Sequence, residues 1–253
     1  AVVRFKVVGE DAYFLAWTTT PWTLPSNVAL CVNPDETYCK VKAADGYTYY
    51  MAEALLDKVL GGLAVKAGQT VKGESLDEDA KDANGAGIDY EVLETYKGKD
   101  LEGKEYEALY QCAADLAAKQ HKKGHYVVCD TYVTLTDGTG VVHIAPAFGE
   151  DDAKVGRKYG LPFVQLVDGK GNLTEDTPFG GIFVKKADPM VLKDLEEKDA
   201  LFSDFKAVKE GNVWCTGKYL YQATDIVGEL ITDMNLMLTG GDESKMTFLY
   251  HVK

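Results

Sequence analysis

The sequence predicts an α+β fold, with a β-barrel-like domain and peripheral helices. The first half of the chain contains many short runs of β-branched and aromatic residues, and turn signals separate these runs. Only a few later segments place apolar residues at helical spacing. The 253 residues, 46% of them hydrophobic, are enough for a core that needs no disulfide or metal.

The turn signals divide the chain into seven predicted strands and three predicted helices. The strands are expected at residues 2–8, 13–17, 28–32, 38–41, 47–51, 126–135 and 140–145. The helices are expected at residues 107–119, 150–159 and 188–201. Asp188 is expected to cap the last helix, with Pro189 at its first position.

We expect a main domain at residues 1–205 and an unfamiliar tail at residues 206–253 that packs on the same domain. Residues 61–87 have few large apolar side chains, so they are predicted to form a loop or insertion. In the tail, residues 219–238 predict an amphipathic helix and residues 246–252 predict a strand.

Composition excludes several classes of protein. The five cysteines are odd in number, widely spaced and without a CxxC pair, which favours a reduced, cytoplasmic protein. His121, His125 and Cys129 lie at steps of four, but Lys122-Lys123-Gly124 interrupts a helix there, so neither a metal nor a cofactor is expected. No apolar run reaches the roughly 18 residues of a membrane span. The net charge of −13 argues against nucleic acid as the main partner.

The first segment with chemical potential is TTTPWTLPSN, at residues 18–27. Three adjacent hydroxyls point in alternating directions, so one or two can face a cleft. Pro21 and Pro25 fix the backbone and remove two hydrogen-bond donors. A rigid loop with hydroxyls, an indole and an amide suits recognition of a small polar substrate. Composition alone favours a plainer interpretation, a threonine-rich strand end followed by a turn.

The second segment is GTGVVHIAPAFGEDD, at residues 138–152. An apolar strand carries His143 and ends at Pro146, and the acidic run Glu150-Asp151-Asp152 begins a helix. Acidic residues in a first helical turn are commonly partners of the helix dipole. A single histidine in a strand is more often a core residue than a catalyst. The paired carboxylates also fit a divalent metal, but no third ligand stands at a recognisable spacing.

Together, the two segments resemble the editing insertion of isoleucyl-tRNA synthetases, which are class I aminoacyl-tRNA synthetases. The similar leucyl and valyl domains read TTRP at the first segment, whereas Thr20 precedes Pro21 here, as in the isoleucyl form. The resemblance spans roughly residues 3–203 and is weaker across residues 61–87. The family's aromatic-Pro-x-Cys-Trp-Arg pattern is replaced by GNVWC at residues 211–215. The nucleotide-binding signatures of the synthetic domain are absent, so we expect no amino-acid activation.

The resemblance implies hydrolytic editing of valine wrongly attached to isoleucine tRNA, at its 3′-terminal aminoacyl-adenosine. It implies that the threonine hydroxyls and Asn27 position a water, and that Asp152 binds the substrate ammonium group. Trp22 and His143 are expected to form the walls of a pocket that excludes isoleucine. The implied catalytic residues are Thr18, Thr20 and Asn27, and the implied substrate-binding residues are Thr19, Trp22, His143 and Asp152. No Ser-His-Asp set is visible, so no covalent intermediate is expected.

The resemblance also implies a monomeric module embedded in a full synthetase whose other domains hold the tRNA. An acidic editing module is compatible with that arrangement, because it receives only the acceptor end. Two alternatives stay open. One is a non-catalytic binding module that keeps the pocket for aminoacyl-tRNA or an amino-acid analogue. The other is a metal-dependent hydrolase built on Asp151, Asp152 and His143.

Overall fold

The computed structural model describes residues 1–60, 90–201, 214–216 and 249–251. The chain divides into two compact units, Ala1–Phe202 and Ser203–Lys253. In the first unit, a mixed sheet forms a half-barrel with a few helices around it. The predicted α+β, β-barrel-like class is confirmed.

All seven predicted strands are present in this unit, together with one that was not predicted. The strands are β1 (Val2–Lys6), β2 (Tyr13–Trp17), β3 (Ala29–Val32), β4 (Thr37–Ala43), β5 (Thr48–Ala52), β6 (Tyr90–Lys97), β7 (Tyr126–Cys129) and β8 (Val141–Ile144). β6 was missed because most of its side chains are exposed, which removes the alternation that marks a half-buried strand. β7 is shorter than predicted, since the Asp130 carboxylate accepts a hydrogen bond from the Tyr132 amide in a turn.

The sheet has the order β6-β4-β5-β2-β8-β3-β7, and β1 pairs with β2 outside this path. β1 runs antiparallel along the whole of β2. The other edge of β2 is shared, since Tyr13 and Phe14 pair with β5 and Trp17 pairs with Val142 of β8. Both of these pairings are parallel, so the chain that leaves β2 starts beside β8.

Helices lie at the ends and faces of this sheet. The α-helices are α1 (Leu56–Leu60), α2 (Gln111–Lys119), α3 (Glu150–Tyr159) and α4 (Val184–Glu197), and the 3₁₀ helices are Pro21–Ser26, Glu53–Leu55 and Gly98–Leu101. α3 has the predicted bounds, and Gly160 ends it with a φ of 64°. α2 begins later than predicted, because the Glu107 amide still donates to the Lys6 carbonyl of β1.

The predicted start of α4 was wrong. The helix begins at Val184, so Asp188 does not cap it and Pro189 lies inside it. Its C-terminal end also comes earlier than predicted. Arg4 donates its amide to the Ala200 carbonyl, and Leu201 forms a bridge with Val3. The helix ends in a turn in which Asp199 has a φ of 54°, and the chain then contacts β1.

Among the described residues, the buried apolar side chains form two clusters, one on each face of β3. Leu30 and Val32 belong to the larger cluster, which β1, β2, β4 and β5 dominate. Ala29 and Cys31 belong to the smaller cluster, which includes Ile144 of β8. This alternation is the period of two expected of a strand that is buried on both faces.

The second unit is described only at β9 (Trp214–Thr216) and β10 (Leu249–His251), which pair antiparallel. β10 lies within the strand predicted at residues 246–252. The helix predicted at residues 219–238 and the loop predicted at residues 61–87 lie outside the described residues. The expected packing of the tail on the main domain stays a prediction. No described helix combines the length and apolar character required to cross a bilayer.

Candidate active site

Two predicted segments far apart in the sequence meet at the end of β2. Because Trp17 pairs with Val142, the next residue, Thr18, lies beside His143 of β8. The Thr18 Oγ1 and His143 Nε2 atoms are 3.3 Å apart across 125 residues of sequence. Both side chains are buried, with exposed fractions of 5% for Thr18 and 7% for His143. The two motifs therefore form one site.

Residues 18–27, which we call the threonine loop, fold back on themselves through a 3₁₀ helix at Pro21–Ser26. The Thr20 amide donates to Thr18 Oγ1 over 3.1 Å, and the Thr23 hydroxyl donates to the Thr20 carbonyl over 2.7 Å. The Thr20 and Thr23 hydroxyl oxygens lie 3.3 Å apart. These bonds fix the direction of the three side chains.

Thr23 is a site residue that the sequence analysis did not select. Its Oγ1 lies 3.1 Å from His143 Nε2 and its side chain is buried. The spacing of the threonines could have identified it, because Thr23 follows Thr20 by three residues and residues three apart share one side of a 3₁₀ turn.

The hydroxyl directions assign the tautomer of His143. The Thr23 hydrogen is used on the Thr20 carbonyl, so Thr23 Oγ1 is an acceptor toward the imidazole. This places the imidazole proton on Nε2 and leaves Nδ1 as a bare acceptor. Nδ1 is buried and has no hydrogen-bond partner among the described residues. The hydrogen of Thr18 is then available to a substrate.

His143 is neutral at physiological pH. Burial lowers its pKa from 6.5 to about 4, because the interior solvates the imidazolium cation poorly. Each contact that the structure shows between the Thr18, Thr20, Thr23 and His143 side chains is with another neutral group. The cluster is therefore a set of neutral donors and acceptors.

Aromatic rings join the two segments a second time. The rings of Trp22 and Phe148 meet edge to face, with centroids 5.1 Å apart and planes at 72°. Trp22 Nε1 is buried and has no partner in the described part of the chain. Trp22 is thus held against the turn that follows β8, on the same 3₁₀ helix as Thr23.

Asp152 lies in the first turn of α3 and reaches back toward β8. Its Oδ2 accepts a hydrogen bond from the Ala145 amide over 2.9 Å, two residues after His143. Gly149 leaves room for this carboxylate, because a Cβ there would lie 3.1 Å from the Asp152 carboxyl carbon, a tight contact. Burial raises the pKa of Asp152, although the bond from Ala145 opposes this shift. Asp151 differs from Asp152, since it is exposed and pairs with Lys154 at 3.0 Å.

The structure does not bring Asn27 into the open part of the site. Its Nδ2 donates to the Ala29 carbonyl over 2.9 Å, and its Oδ1 accepts from the Tyr106 hydroxyl over 2.7 Å. With a side chain that is 2% exposed and used at both ends, Asn27 fixes the end of the threonine loop. This geometry argues against the expected contact between Asn27 and water. Thr19 is exposed, and its expected role stays a prediction.

The candidate metal ligands do not converge in the described residues. No group of three or more His, Cys, Asp or Glu side chains there is arranged to hold an ion. Asp151 pairs with a lysine, Asp152 accepts from a backbone amide, and His143 faces hydroxyls. His121 and His125 have φ angles of 53° and 60°, so they do not share a helix with Cys129.

Comparison with known proteins identifies relatives of this chain. No family model matches. The isoleucine--tRNA ligase of Clostridium novyi is 44% identical over 208 residues, which cover 81% of this chain and 17% of that protein. The isoleucine--tRNA ligase of Pyrococcus abyssi is 38% identical over 239 residues, which cover 88% of this chain and 20% of that protein. The chain thus spans about a fifth of the length of these curated relatives.

Solved structures share the fold at low sequence identity. A leucyl-tRNA synthetase CP1 domain, GlLeuRS-CP1, superposes with a TM-score of 0.56 at 13% identity, covering 79% of this chain and 96% of that one. The editing domain of the P. knowlesi cytosolic leucyl-tRNA synthetase gives a TM-score of 0.53 at 14% identity, covering 79% of this chain and 93% of that one.

The first unit therefore has the fold of the leucyl-tRNA synthetase CP1 and editing domains. By its sequence, the chain belongs with the isoleucyl-tRNA synthetases, whose members it matches over about four fifths of its own length. The predicted resemblance is confirmed. The resemblance was predicted to end at about residue 203, and this end was too early. The match to the Pyrococcus abyssi relative covers 88% of this chain, so it must extend into the tail.

Proposed function

We propose that the chain hydrolyses the ester that joins valine, wrongly attached, to the 3′-terminal adenosine of isoleucine tRNA. The observation that carries the proposal is the contact of Thr18 and Thr23 with His143. Asp152 borders the same site through its hydrogen bond with the amide of Ala145, two residues after His143. Relatives named isoleucine--tRNA ligase support the choice of substrate. The proposal places the chain within a larger synthetase, as a monomeric module that receives the acceptor end.

The reaction needs four groups from the protein. Asp152 binds the substrate ammonium group in a charge-assisted hydrogen bond. Thr18, whose hydrogen has no fixed acceptor in the assigned tautomer, donates to the ester carbonyl as negative charge develops on its oxygen. Thr20 has lone pairs available for a water, which the free ribose hydroxyl of the substrate also orients. Thr19 binds the terminal ribose.

The water oxygen attacks the ester carbon, and the bond from that carbon to the ribose oxygen breaks. The ribose oxygen takes a proton that originates from the water, which leaves free valine and a tRNA with an intact terminal ribose. His143 does not act as the base, because its proton stays on Nε2 and its pKa is about 4. No protein nucleophile is needed.

Trp22 and His143 form the walls that refuse isoleucine. One methylene in an apolar pocket is worth about 1–3 kcal/mol, and isoleucyl enzymes are themselves the usual example of this limit. Refusal of one added methylene depends on walls that do not move. Thr23 fixes the imidazole through Nε2, and Phe148 supports the indole edge to face.

A binding module without turnover is the second candidate. The neutrality of the hydroxyl cluster favours this candidate, because burial alone shifts the pKa of His143. The Asn27 side chain is also hydrogen-bonded at both ends, to Ala29 and Tyr106, which leaves it no position for a water. The metal-dependent hydrolase has no comparable support, since its three proposed ligands turn toward different partners.

The deciding experiment incubates the chain with isoleucine tRNA charged with either valine or isoleucine. Free amino acid is measured over time, with and without a chelator. Rapid release of valine but not isoleucine, unchanged by the chelator, supports the proposal. Retention of the intact charged tRNA on the protein without release identifies a binding module. Loss of release in the chelator identifies a metal-dependent enzyme.

A further inference from the structure

The 3₁₀ helix of the threonine loop receives a hydrogen-bond partner from a distant element. The Trp22 amide donates to Asp188 Oδ1 over 2.9 Å, across 166 residues of sequence. Asp188 lies in the second turn of α4, and α4 packs directly on this 3₁₀ helix. The Asp188 side chain is 22% exposed, so the bond is largely shielded from water.

The start of this 3₁₀ helix explains why it needs an outside partner. The first amides of a helix have no acceptor within it. Pro21 has no N–H, and the Thr23 amide already donates to the Thr20 carbonyl. The Trp22 amide is therefore the donor left over at this end.

The residue that would ordinarily cap this end is Thr20. A threonine at this position usually accepts a hydrogen bond through its hydroxyl from the second or third amide. Thr20 makes no such bond, and its hydroxyl instead lies 3.3 Å from the Thr23 hydroxyl. Asp188 of α4 accepts the hydrogen bond from the Trp22 amide in its place.

We propose that Asp188 is a positioning residue, which caps the 3₁₀ helix of the threonine loop and thereby leaves the Thr20 hydroxyl to the substrate. The inference rests on the proposed function, since it assigns Asp188 a part in the same site. Without Asp188, the hydroxyl of Thr20, the N-cap residue, becomes the expected acceptor for the Trp22 amide. A rotation of Thr20 toward that amide would withdraw its lone pairs from the water. It would also loosen the Trp22 wall.

An ion pair is the competing explanation for Asp188. Lys185 lies one turn earlier on α4, with its amine 4.0 Å from Asp188 Oδ2. That pair is on the surface and uses the other carboxylate oxygen, so Lys185→Ala removes it and leaves the cap. Asp188→Asn removes the charge and keeps an oxygen that can accept from Trp22. Asp188→Ala removes both.

The first measurement is hydrogen exchange of the Trp22 amide by NMR in the whole chain, which needs no activity. We expect protection in the parent, Asp188→Asn and Lys185→Ala proteins, and at least tenfold faster exchange in Asp188→Ala. An unprotected Trp22 amide in the parent would overturn the inference, whatever the protein hydrolyses. If Asp188→Ala does not fold, Asp188→Glu replaces it, because one added methylene displaces the carboxylate that accepts the hydrogen bond. A Trp22 amide that is as well protected in Asp188→Glu as in the parent would also overturn the inference.

The second measurement is hydrolysis of the valyl and isoleucyl esters. For Asp188→Ala we expect kcat on the valyl ester to fall about ten- to a hundredfold and the preference for valine over isoleucine to narrow. Asp188→Asn and Lys185→Ala should stay within about threefold of the parent. If the parent hydrolyses neither ester, the proposed function fails. The hydrogen-exchange measurement still shows whether Asp188 caps the 3₁₀ helix. If the parent is active and Asp188→Ala, folded, retains both rate and preference, the positioning role is wrong.

Discussion

The threonine loop and the acidic turn, residues 146–152, contribute to the site in different ways. In the threonine loop, Thr18, Thr23 and Asn27 are buried and bonded within the protein, and no charge is present. In the acidic turn, Asp152 is partly exposed and its carboxylate accepts a hydrogen bond from one backbone amide. The first side offers hydroxyls in fixed directions, and the second offers the carboxylate that binds the substrate ammonium group in the proposed function.

This division separates the two tasks of the proposed enzyme. A change in the threonine loop should alter the chemical step or the size limit, together with stability. A change in the acidic turn should alter substrate affinity and leave the fold nearly unchanged. The variants below test the division, starting with the largest expected effect.

Replacement of both Thr18 and Thr20 by Ala should reduce kcat on the valyl ester about 10²- to 10³-fold, the usual cost of a lost oxyanion donor. Since Thr18 is buried and bonded to His143, the free energy of unfolding should also fall by about 1–3 kcal/mol. The initial rate of valine release and urea unfolding measure the two effects. Thr134→Ala, at an exposed turn, is the matched control. Full activity in the folded double variant would remove these hydroxyls from the mechanism.

Asp152→Ala should raise KM for the valyl ester and lower kcat/KM about ten- to a hundredfold, because a charge-assisted contact is worth about 1.5–3 kcal/mol. Asp151→Ala should change kcat/KM little, since Asp151 pairs with Lys154 on the exposed side of α3. Steady-state kinetics of both variants provide the comparison. Equal losses in the two variants would show that general negative charge, and not the Asp152 position, is what matters.

His143→Ala should admit the isoleucyl ester, since removal of the imidazole opens more space than one methylene fills. The ratio of valyl to isoleucyl hydrolysis should fall by about tenfold or more. A general base would instead cause equal losses on both esters, and a purely structural residue would lower thermal stability without a change in the ratio. Hydrolysis of both esters and a thermal melt of the same variant separate these three roles.

The sequence predicted those parts of the molecule that depend on local pattern. Strands with alternating apolar residues and α3, with its acidic first turn and terminal Gly160, were placed correctly. β6 was missed, because exposed side chains on both faces leave no pattern. The prediction that the two motifs form one site came from the family resemblance, and the structure gives the distances between their side chains.

The partners of single side chains could not be predicted, because they are set by contacts between distant elements. Asp188 was expected to cap its own helix and instead accepts from Trp22 in another. Asn27 was expected to meet water, and the Tyr106 hydroxyl occupies its oxygen instead. An amide or carboxylate beside a turn has several possible partners, and tertiary packing selects among them.

A pH dependence of stability also distinguishes the two sides of the site. The buried imidazole of His143 has a pKa of about 4, below its ordinary value of 6.5. The unfolded chain therefore binds a proton at a higher pH than the folded one. Stability should fall as pH falls between about 6.5 and 4, by at most about 1.4 kcal/mol for each pH unit, and this contribution should be constant above and below that window.

Asp152 should act in the opposite direction, because its pKa is raised in the folded protein. Its contribution to stability should grow as pH falls through the window between its unfolded and folded pKa values, and binding of the ammonium group should weaken over the same range. Urea unfolding at several pH values, for the parent, His143→Gln and Asp152→Asn, isolates each contribution. The His143 variant should lose the decline between pH 6.5 and 4, and the Asp152 variant should show a steeper one. If His143→Gln declines as steeply as the parent, the imidazole is not buried as a neutral group, and the threonine loop is more open to water than its hydrogen bonds indicate.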